Sequence, residues 1–377
     1  MTRPLRYVII GVGANVFAMH RPALESAMVD LVGVTDLDTE KGRERAAELG
    51  CPFFEDYRAM LKETRPDVAV VMTPHPFHAE MSVSCLQAGC HVLVEKPMAV
   101  HVSEADTMIR AAKDAGRLLA VNFQHRHRPE VRAVYTLIRE GGLGKVQHID
   151  VTMAWPRRRN YYRKALWRGT WAGEGGGVSM NQAPHNLDLL CHLLGSPGNV
   201  TAWARTTLHN IETEDTIQAM LEWPDGGLGS LHISTAEAGR PERMEIVGTK
   251  GVAQLGGGKV SFERFPQALE DFLDKDANPF AEPELETTLL DIGEGSGDHM
   301  AVYRNLNAAI QTGTPLMCGG VQGRMSLELA NAMLLSSHLE RGVTLPLDRA
   351  AYTHFLEERK ADSANVKSED TKKEGVA

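Results

Sequence analysis

The sequence predicts two folded parts. An α/β amino-terminal domain, built on a doubly wound parallel sheet, is expected over residues 1–125, and an α+β carboxyl-terminal domain with an open, largely antiparallel sheet over 126–360. Three observations carry this. Short apolar runs rich in β-branched residues alternate with helix-like stretches as far as Val121, the pattern of parallel strands joined by crossover helices. A glycine turn follows the first run at once. From Val146 onward the apolar runs are instead joined by short turns such as Pro224-Asp225-Gly226-Gly227, which favour antiparallel pairing.

The 377-residue length suffices for a sizeable core in each part. Hydrophobic residues make up 43% and charged residues 24%, as in ordinary globular proteins, and the net charge of -9 argues against nucleic acid or an anionic membrane as the main partner. Met1-Thr2-Arg3-Pro4 leads almost directly into the first strand, which leaves no room for a signal peptide, and no apolar run is long enough to span a bilayer. A cytoplasmic location is expected. The five cysteines show no C-x-x-C spacing and read as reduced core thiols.

Leu5 to Ile10 form the first predicted strand, followed by Gly11-Val12-Gly13-Ala14-Asn15-Val16 and a helix-like stretch around Met19 to Ala27. A strand, a glycine turn and a helix start let backbone N–H groups face a pyrophosphate, so Gly11, Gly13, Ala14, Asn15 and Val16 are candidate dinucleotide contacts. Val16 replaces the third glycine of G-x-G-x-x-G. The second strand, Leu31 to Thr35, ends in Asp36, where the dinucleotide fingerprint of the Rossmann fold expects an acid for the adenosine ribose hydroxyls. Asp36 favours NAD over NADP, whose 2'-phosphate its carboxylate repels, while Lys41 and Arg43 nearby leave NADP open. A helix from about Thr39 to Leu49, a strand at Val68 to Met72, a helix to about Ala88, and a strand leading to Glu95-Lys96-Pro97 follow. Lys96 therefore stands at the carboxyl end of a buried strand, the edge where open α/β sheets bind ligands. A helix over Ser103 to Ala115, with Ser-Glu-Ala-Asp read as its cap, and a strand at Leu118 to Val121 complete this domain.

In the second domain a helix ends at Glu140, and strands are predicted at 146–154, 200–207, 216–223, 228–235 and 244–247. Between the first two lies Trp155 to Trp171, where Tyr162, Trp167 and Arg168 are interleaved with other basic and aromatic residues. Such a segment could stack on bases, but the net acidity and the lack of a second basic stretch favour a substrate loop, with aromatic faces on sugar rings and arginines on hydroxyl or carboxylate groups. The glycine-rich Gly173 to Asp188 then leads into a helix to Leu194. His185, Asp188 and His192 share one face of it, yet no H-E-x-x-H or comparable spacing accompanies them, and no metal is expected. Glu270 to Asp298 reads as a surface excursion, and the polar chain from about Ala361 to Ala377 as a disordered tail.

The combination of Gly11-x-Gly13, Asp36, Thr73-Pro74-x-x-x-His78, Ala88-Gly89, Glu95-Lys96-Pro97, Gly175-Gly176-Gly177, His185 and Asp188 resembles the Gfo/Idh/MocA oxidoreductases, from Leu5 to about Leu347. The resemblance implies that Thr73, Pro74, His78, Glu95 and Lys96 lie by the cofactor, with a cis Lys96-Pro97 bond. It implies that the second sheet carries the substrate site and often the subunit contact of a homodimer or homotetramer. It makes His185 a catalytic residue and sets Asn181 where inositol dehydrogenases have aspartate. Asn181 can orient a hydroxyl but cannot take up a proton as a carboxylate can. Trp167-Arg168 resembles a pair that some relatives place near the cofactor.

The implied activity is hydride transfer between NAD and a secondary alcohol of a sugar, polyol or inositol. The hydroxyl proton then needs a base within hydrogen-bond reach, and Lys96 and His185 are the candidates. Three rivals share the fold: NAD-assisted glycoside cleavage, oxidation of a cyclic dihydrodiol, and a non-catalytic NAD-binding regulator.

Overall fold

The computed structural model describes residues 3–165, 167–275 and 278–374, with side chains through residue 363. The chain divides into two compact units.

The first unit comprises residues 1–127, 172–175 and 297–327. Its strands are β1 (Leu5–Ile10), β2 (Val29–Thr35), β3 (Phe53–Phe54), β4 (Val68–Val71), β5 (His91–Val94) and β6 (Leu119–Val121). They form one parallel sheet in the order β3-β2-β1-β4-β5-β6. Ile9, Val70 and Leu93 are fully buried, as expected where helices cover both faces. The crossover helices are α1 (Phe17–Leu24), α2 (Thr39–Leu49), α3 (Tyr57–Thr64), α4 (His78–Gln87) and α5 (Val102–Ala115). Asp38 caps α2 by accepting from Lys41 N at 3.1 Å, and Asp56 caps α3 by accepting from Ala59 N at 2.7 Å. The start of α5 differs from expectation. His101 occupies the cap without a side-chain bond, and Glu104 reaches back to Val100 N at 3.0 Å.

The sequence places everything after residue 125 in the second domain, but the helix His299–Thr312 belongs to the first unit. Val302, Tyr303 and Leu306 lie in one core with Tyr7, Ile9 and Phe17, and Tyr7 donates to Asn307 Oδ1 at 2.5 Å. The apolar stripe of this helix is legible in the sequence, but the sheet that receives it lies some 300 residues away.

The second unit comprises residues 128–171, 176–296 and 328–377. Its strands are β7 (Val146–Ala154), β8 (Asn199–Arg205), β9 (Thr216–Glu222), β10 (Leu228–Ser234), β11 (Arg243–Gly248), β12 (Gly251–Gly256), β13 (Lys259–Arg264), β14 (Glu286–Thr288) and β15 (Val343–Thr344). The order is β14-β13-β12-β11-β7-β10-β9-β8-β15, antiparallel throughout except for the β7–β10 pair. Residues alternate in burial along β8, β9 and β10, so one face is covered and the other open. Most of the stretch from Glu270 to Asp298 lies outside helices and strands, although β14 adds an edge to the sheet. The helix Arg349–Glu374 occupies most of the expected irregular tail, because its Ala, Lys and Glu residues favour helix without needing an apolar face. Residues 375–377 lie outside the described residues.

Candidate active site

In the first unit, the residues singled out by the sequence follow the carboxyl ends of β1, β2, β4 and β5, neighbouring parallel strands, and so share one sheet edge. Gly11 has φ +99°, which side chains disfavour, and a Cβ there would lie 3.0 Å from the backbone after β4. Gly13 N donates to Asp36 Oδ2 at 2.6 Å, and a Cβ on Gly13 would press to 2.9 Å from that oxygen. The acid after β2 thus grips the glycine turn, and Lys41 Nζ donates to Gly13 O at 2.7 Å beside it. Val16 is the amino-terminal cap of α1 and supplies no side-chain bond, which leaves the positive helix end for an anion.

Thr73 Oγ1 is buried without a hydrogen-bond partner. A buried hydroxyl of this kind costs free energy unless something arrives to pair with it. Together with the glycine turn and the uncapped helix start, it fits a dinucleotide laid along this edge. Gly11, Gly13, Ala14, Asn15, Val16, Asp36, Thr73 and Pro74 are the residues that would hold it. His78 has a structural task instead: its ring is buried, with Nδ1 at 2.8 Å from Pro97 O and Nε2 at 2.7 Å from Thr73 O. It ties the loop after β4 to the loop after β5, and burial pushes its pKa down, favouring the neutral ring.

Lys96 precedes a cis proline, and its side chain is half-buried. Beside it Glu95 is 6% exposed and anchors a network that the sequence did not reveal. His20 Nε2 lies 2.9 Å from Glu95 Oε1, Asn122 Nδ2 donates to the same oxygen, and Lys96 N lies 3.3 Å from Oε2. His20 Nδ1 lies 2.9 Å from the Tyr303 hydroxyl, and His299 Nε2 is 3.9 Å from Glu95 Oε1. Burial alone would raise the Glu95 carboxyl, but the His20 hydrogen bond and the charges of His20, His299 and Lys96 bring it down to about 2. Burial, with His20 next to it, lowers His299 to about 4.

His20, Glu95 and His299 are the one group of three potential metal ligands brought together among the described residues. Both nitrogens of His20 and Glu95 Oε1 are already engaged in hydrogen bonds. The group is therefore read as a hydrogen-bonded support for the residue preceding Lys96.

The pKa shifts give a stability prediction. The His299 ring titrates near 6.5 in an unfolded chain and near 4 when folded, so its stabilisation is present above pH 6.5 and lost as pH falls toward 4. Glu95 extends the loss between about 4.5 and 2. In urea unfolding at a series of pH values, His299→Gln is expected to flatten the first part by up to about 1.4 kcal/mol per pH unit. A wild-type slope in this variant would contradict the assignment.

In the second unit, Asn181 ends the helix Val178–Asn181, and His185 is the second residue of the helix Pro184–Leu194. His185 is half-buried, and Asp188, one turn on, is fully buried. The glycine-rich loop before them is held by Glu214, also missed from the sequence. Its carboxylate accepts from Gly177 N at 2.9 Å, from Ser179 N at 2.9 Å and from Ser179 Oγ at 2.6 Å, while its backbone oxygen accepts from Val178 N at 2.9 Å. A Cβ on Gly177 would meet that backbone oxygen at 1.9 Å, which is why glycine stands there. Burial raises the Glu214 pKa, opposed by the bonds from Ser179 and Gly177.

The aromatic and basic segment after β7 joins the same region. Tyr161 donates to Asn181 Oδ1 at 3.3 Å and accepts from Gln182 Nε2 at 3.0 Å and from Arg168. The Arg168 guanidinium lies over the Tyr161 ring at 4.3 Å and the Trp167 ring at 4.5 Å. Tyr162 reaches Thr235 Oγ1 at 3.0 Å. Asn181, Tyr162, Trp167 and Arg168 thus belong to one connected surface of the second unit, with Tyr161 as the link the sequence did not single out.

A carboxyl-edge dinucleotide site carrying a lysine defines the first unit as the cofactor domain of a nicotinamide-dependent oxidoreductase. Residues 5–123 match the family model described as "Oxidoreductase family, NAD-binding Rossmann fold", and residues 131–254 match the GFO/IDH/MocA C-terminal domain. The chain belongs to the Gfo/Idh/MocA family and is an oxidoreductase. It is 30% identical to the D-glucoside 3-dehydrogenase of Escherichia coli (strain K12) over 62% of this chain and 71% of that protein. It is 27% identical to the trans-1,2-dihydrobenzene-1,2-diol dehydrogenase of Mus musculus over 67% of this chain and 74% of that protein. The structure of the WlbA dehydrogenase from Bordetella pertussis in complex with NADH and UDP-GlcNAcA superposes with TM-score 0.78 at 28% identity, covering 92% of this chain and 100% of that one.

Proposed function

We propose that the protein oxidises a secondary hydroxyl of a sugar, polyol or inositol with NAD, or reduces the matching ketone, with Lys96 and His185 as its catalytic residues. The observation that most supports this is the position of Lys96 on the sheet edge that also carries Asp36 and the unpartnered Thr73 hydroxyl. Bound NAD supplies the hydride acceptor. Lys96 and His185 receive the hydroxyl proton as the carbonyl forms and return it in the reverse direction. Asn181 orients a neighbouring hydroxyl, and Tyr162, Trp167 and Arg168 line the substrate. The dehydrogenases of glucosides and dihydrodiols among the relatives support alcohol oxidation over a regulatory role.

A panel of sugars, polyols and cyclic diols with NAD and NADP, followed by reduced-nicotinamide absorbance, tests this reading. Net NADH formation with at least one alcohol is expected. NAD binding without any turnover would favour the regulator, and turnover without net NADH the redox-neutral cleavage.

Asp36 is proposed to select NAD. Asp36→Ala is expected to raise KM for NAD and lower KM for NADP, since the carboxylate that repels the 2'-phosphate is gone while Lys41 stays beside the turn. Wild-type activity with NADP alone would refute the argument.

No helix among the described residues is long and apolar enough to cross a membrane. A homodimer or homotetramer fits the open sheet face, where Trp203, Met220 and Leu228 stand half-exposed on neighbouring strands. Light scattering of the purified protein checks it, and a monomer at micromolar concentration would contradict it.

A further inference from the structure

The segment from Val151 to Gly173 contains Arg157, Arg158, Arg159, Arg163, Lys164 and Arg168 and not one Asp or Glu, in a chain of net charge -9. Such a run is most simply a solvated face, but here it is folded into the wall of a cleft. Arg159, Arg163 and Arg168 line a cleft of about 680 Å³ in the second unit, with Tyr162 and Ile211 as apolar surface and Glu212 as its one carboxylate. Among the described residues, no carboxylate lies within ion-pair distance of Arg159 or Arg163. Glu212 accepts from Trp171 N at 3.2 Å and offsets one of the three positive charges, which leaves the cleft lining net positive.

Arg168 is also fixed in place, sandwiched against two rings and bonded to the Tyr161 hydroxyl that reaches Asn181. An arginine already ordered gives up little entropy when it meets an anion. Its planar fork suits carboxylate and phosphate oxygens better than single hydroxyls. A neutral polyol leaves the charges of Arg159 and Arg163 without a counter-ion.

Building on the proposed sugar oxidoreductase, we infer that this cleft binds the anionic group of the substrate, a carboxylate or a phosphate, so that the physiological alcohol is an acidic or phosphorylated sugar. The cleft size matches a sugar-sized ligand, and the connection through Tyr161 to Asn181 ties anion recognition to the residue proposed to orient the hydroxyl. Neutral sugars are then weak substitutes.

The test uses the full chain saturated with NADH and calorimetric titration with D-glucose, D-glucuronate, D-glucose 6-phosphate and UDP-glucuronate. At least one anionic probe is expected to bind tenfold or more tightly than glucose, to weaken as salt rises, and to lose that advantage in the Arg159→Gln/Arg163→Gln double variant. Preference for glucuronate or for the phosphorylated sugars assigns the anion. The inference is overturned if no anionic probe binds, if glucose binds as well as all of them, if the double variant keeps the discrimination, or if a short single-stranded DNA binds more tightly than every sugar. Both substitutions are at exposed positions, and NADH fluorescence titration with circular dichroism verifies that the variant is folded. Failure of the wild-type chain to bind NADH would instead overturn the oxidoreductase reading, while anion preference measured without cofactor still decides the cleft.

Discussion

Lys96→Met is expected to reduce turnover by about 10²–10⁴, the span that a positioned proton-transfer group contributes, while leaving NADH affinity within a few fold of wild type. Methionine keeps the length and much of the volume of the stem but has no amine, so packing at the half-buried site changes little. The dinucleotide contacts proposed for Gly11, Gly13, Asp36 and Thr73 lie on other strands of the same edge. Lys96→Arg is a second control, because a guanidinium stays protonated and cannot act as a base. It is expected to be nearly as inactive as methionine. Turnover unchanged in both variants would remove Lys96 from the mechanism, and lost NADH binding would make it a cofactor contact instead.

The second large effect is expected at Glu214. Glu214→Ala leaves Gly177 N, Ser179 N and Ser179 Oγ without their buried carboxylate, and hydrogen bonds to charged groups contribute about 1.5–3 kcal/mol each. The contributions are not independent, so a net loss of about 3–5 kcal/mol is expected, the cost of leaving three buried neutral donors unpaired. Urea unfolding measures it. Activity is expected to fall further than stability alone explains, because this loop leads directly into the helices bearing Asn181 and His185. Glu214→Gln keeps one acceptor oxygen and is expected to recover part of both losses. A stable, fully active Glu214→Ala variant would show that the loop is held by other contacts.

The doubly wound sheet was legible because its strands are continuous apolar runs broken by glycine turns, and α2 matches its expected span of Thr39 to Leu49. The region between α2 and β4 was not read: β3 is only Phe53–Phe54, too short for a periodic signal, although Asp56 before Tyr57 marks the start of α3 as a cap. The strands β12 and β13 were hidden by the glycines at 251 and 256–258, which weaken strand propensity. Candidate residues at strand ends, such as Asp36 and Lys96, or at a helix start, such as His185, could be proposed from local pattern or family resemblance. The supporting groups could not. Glu95 meets His20 across 75 positions and His20 meets Tyr303 across 283, so no local spacing announces the network. Glu214 likewise reaches Gly177 across 37 positions.

The claim that the protein performs net hydride transfer from an alcohol carbon is tested most directly with deuterium. The best substrate from the panel, deuterated at the oxidised carbon, is incubated with NAD, and the reduced cofactor is examined by mass spectrometry. One deuterium on the nicotinamide and a ketone product are expected. Deuterium retained in the sugar product, or released to solvent with no labelled NADH, would contradict the account.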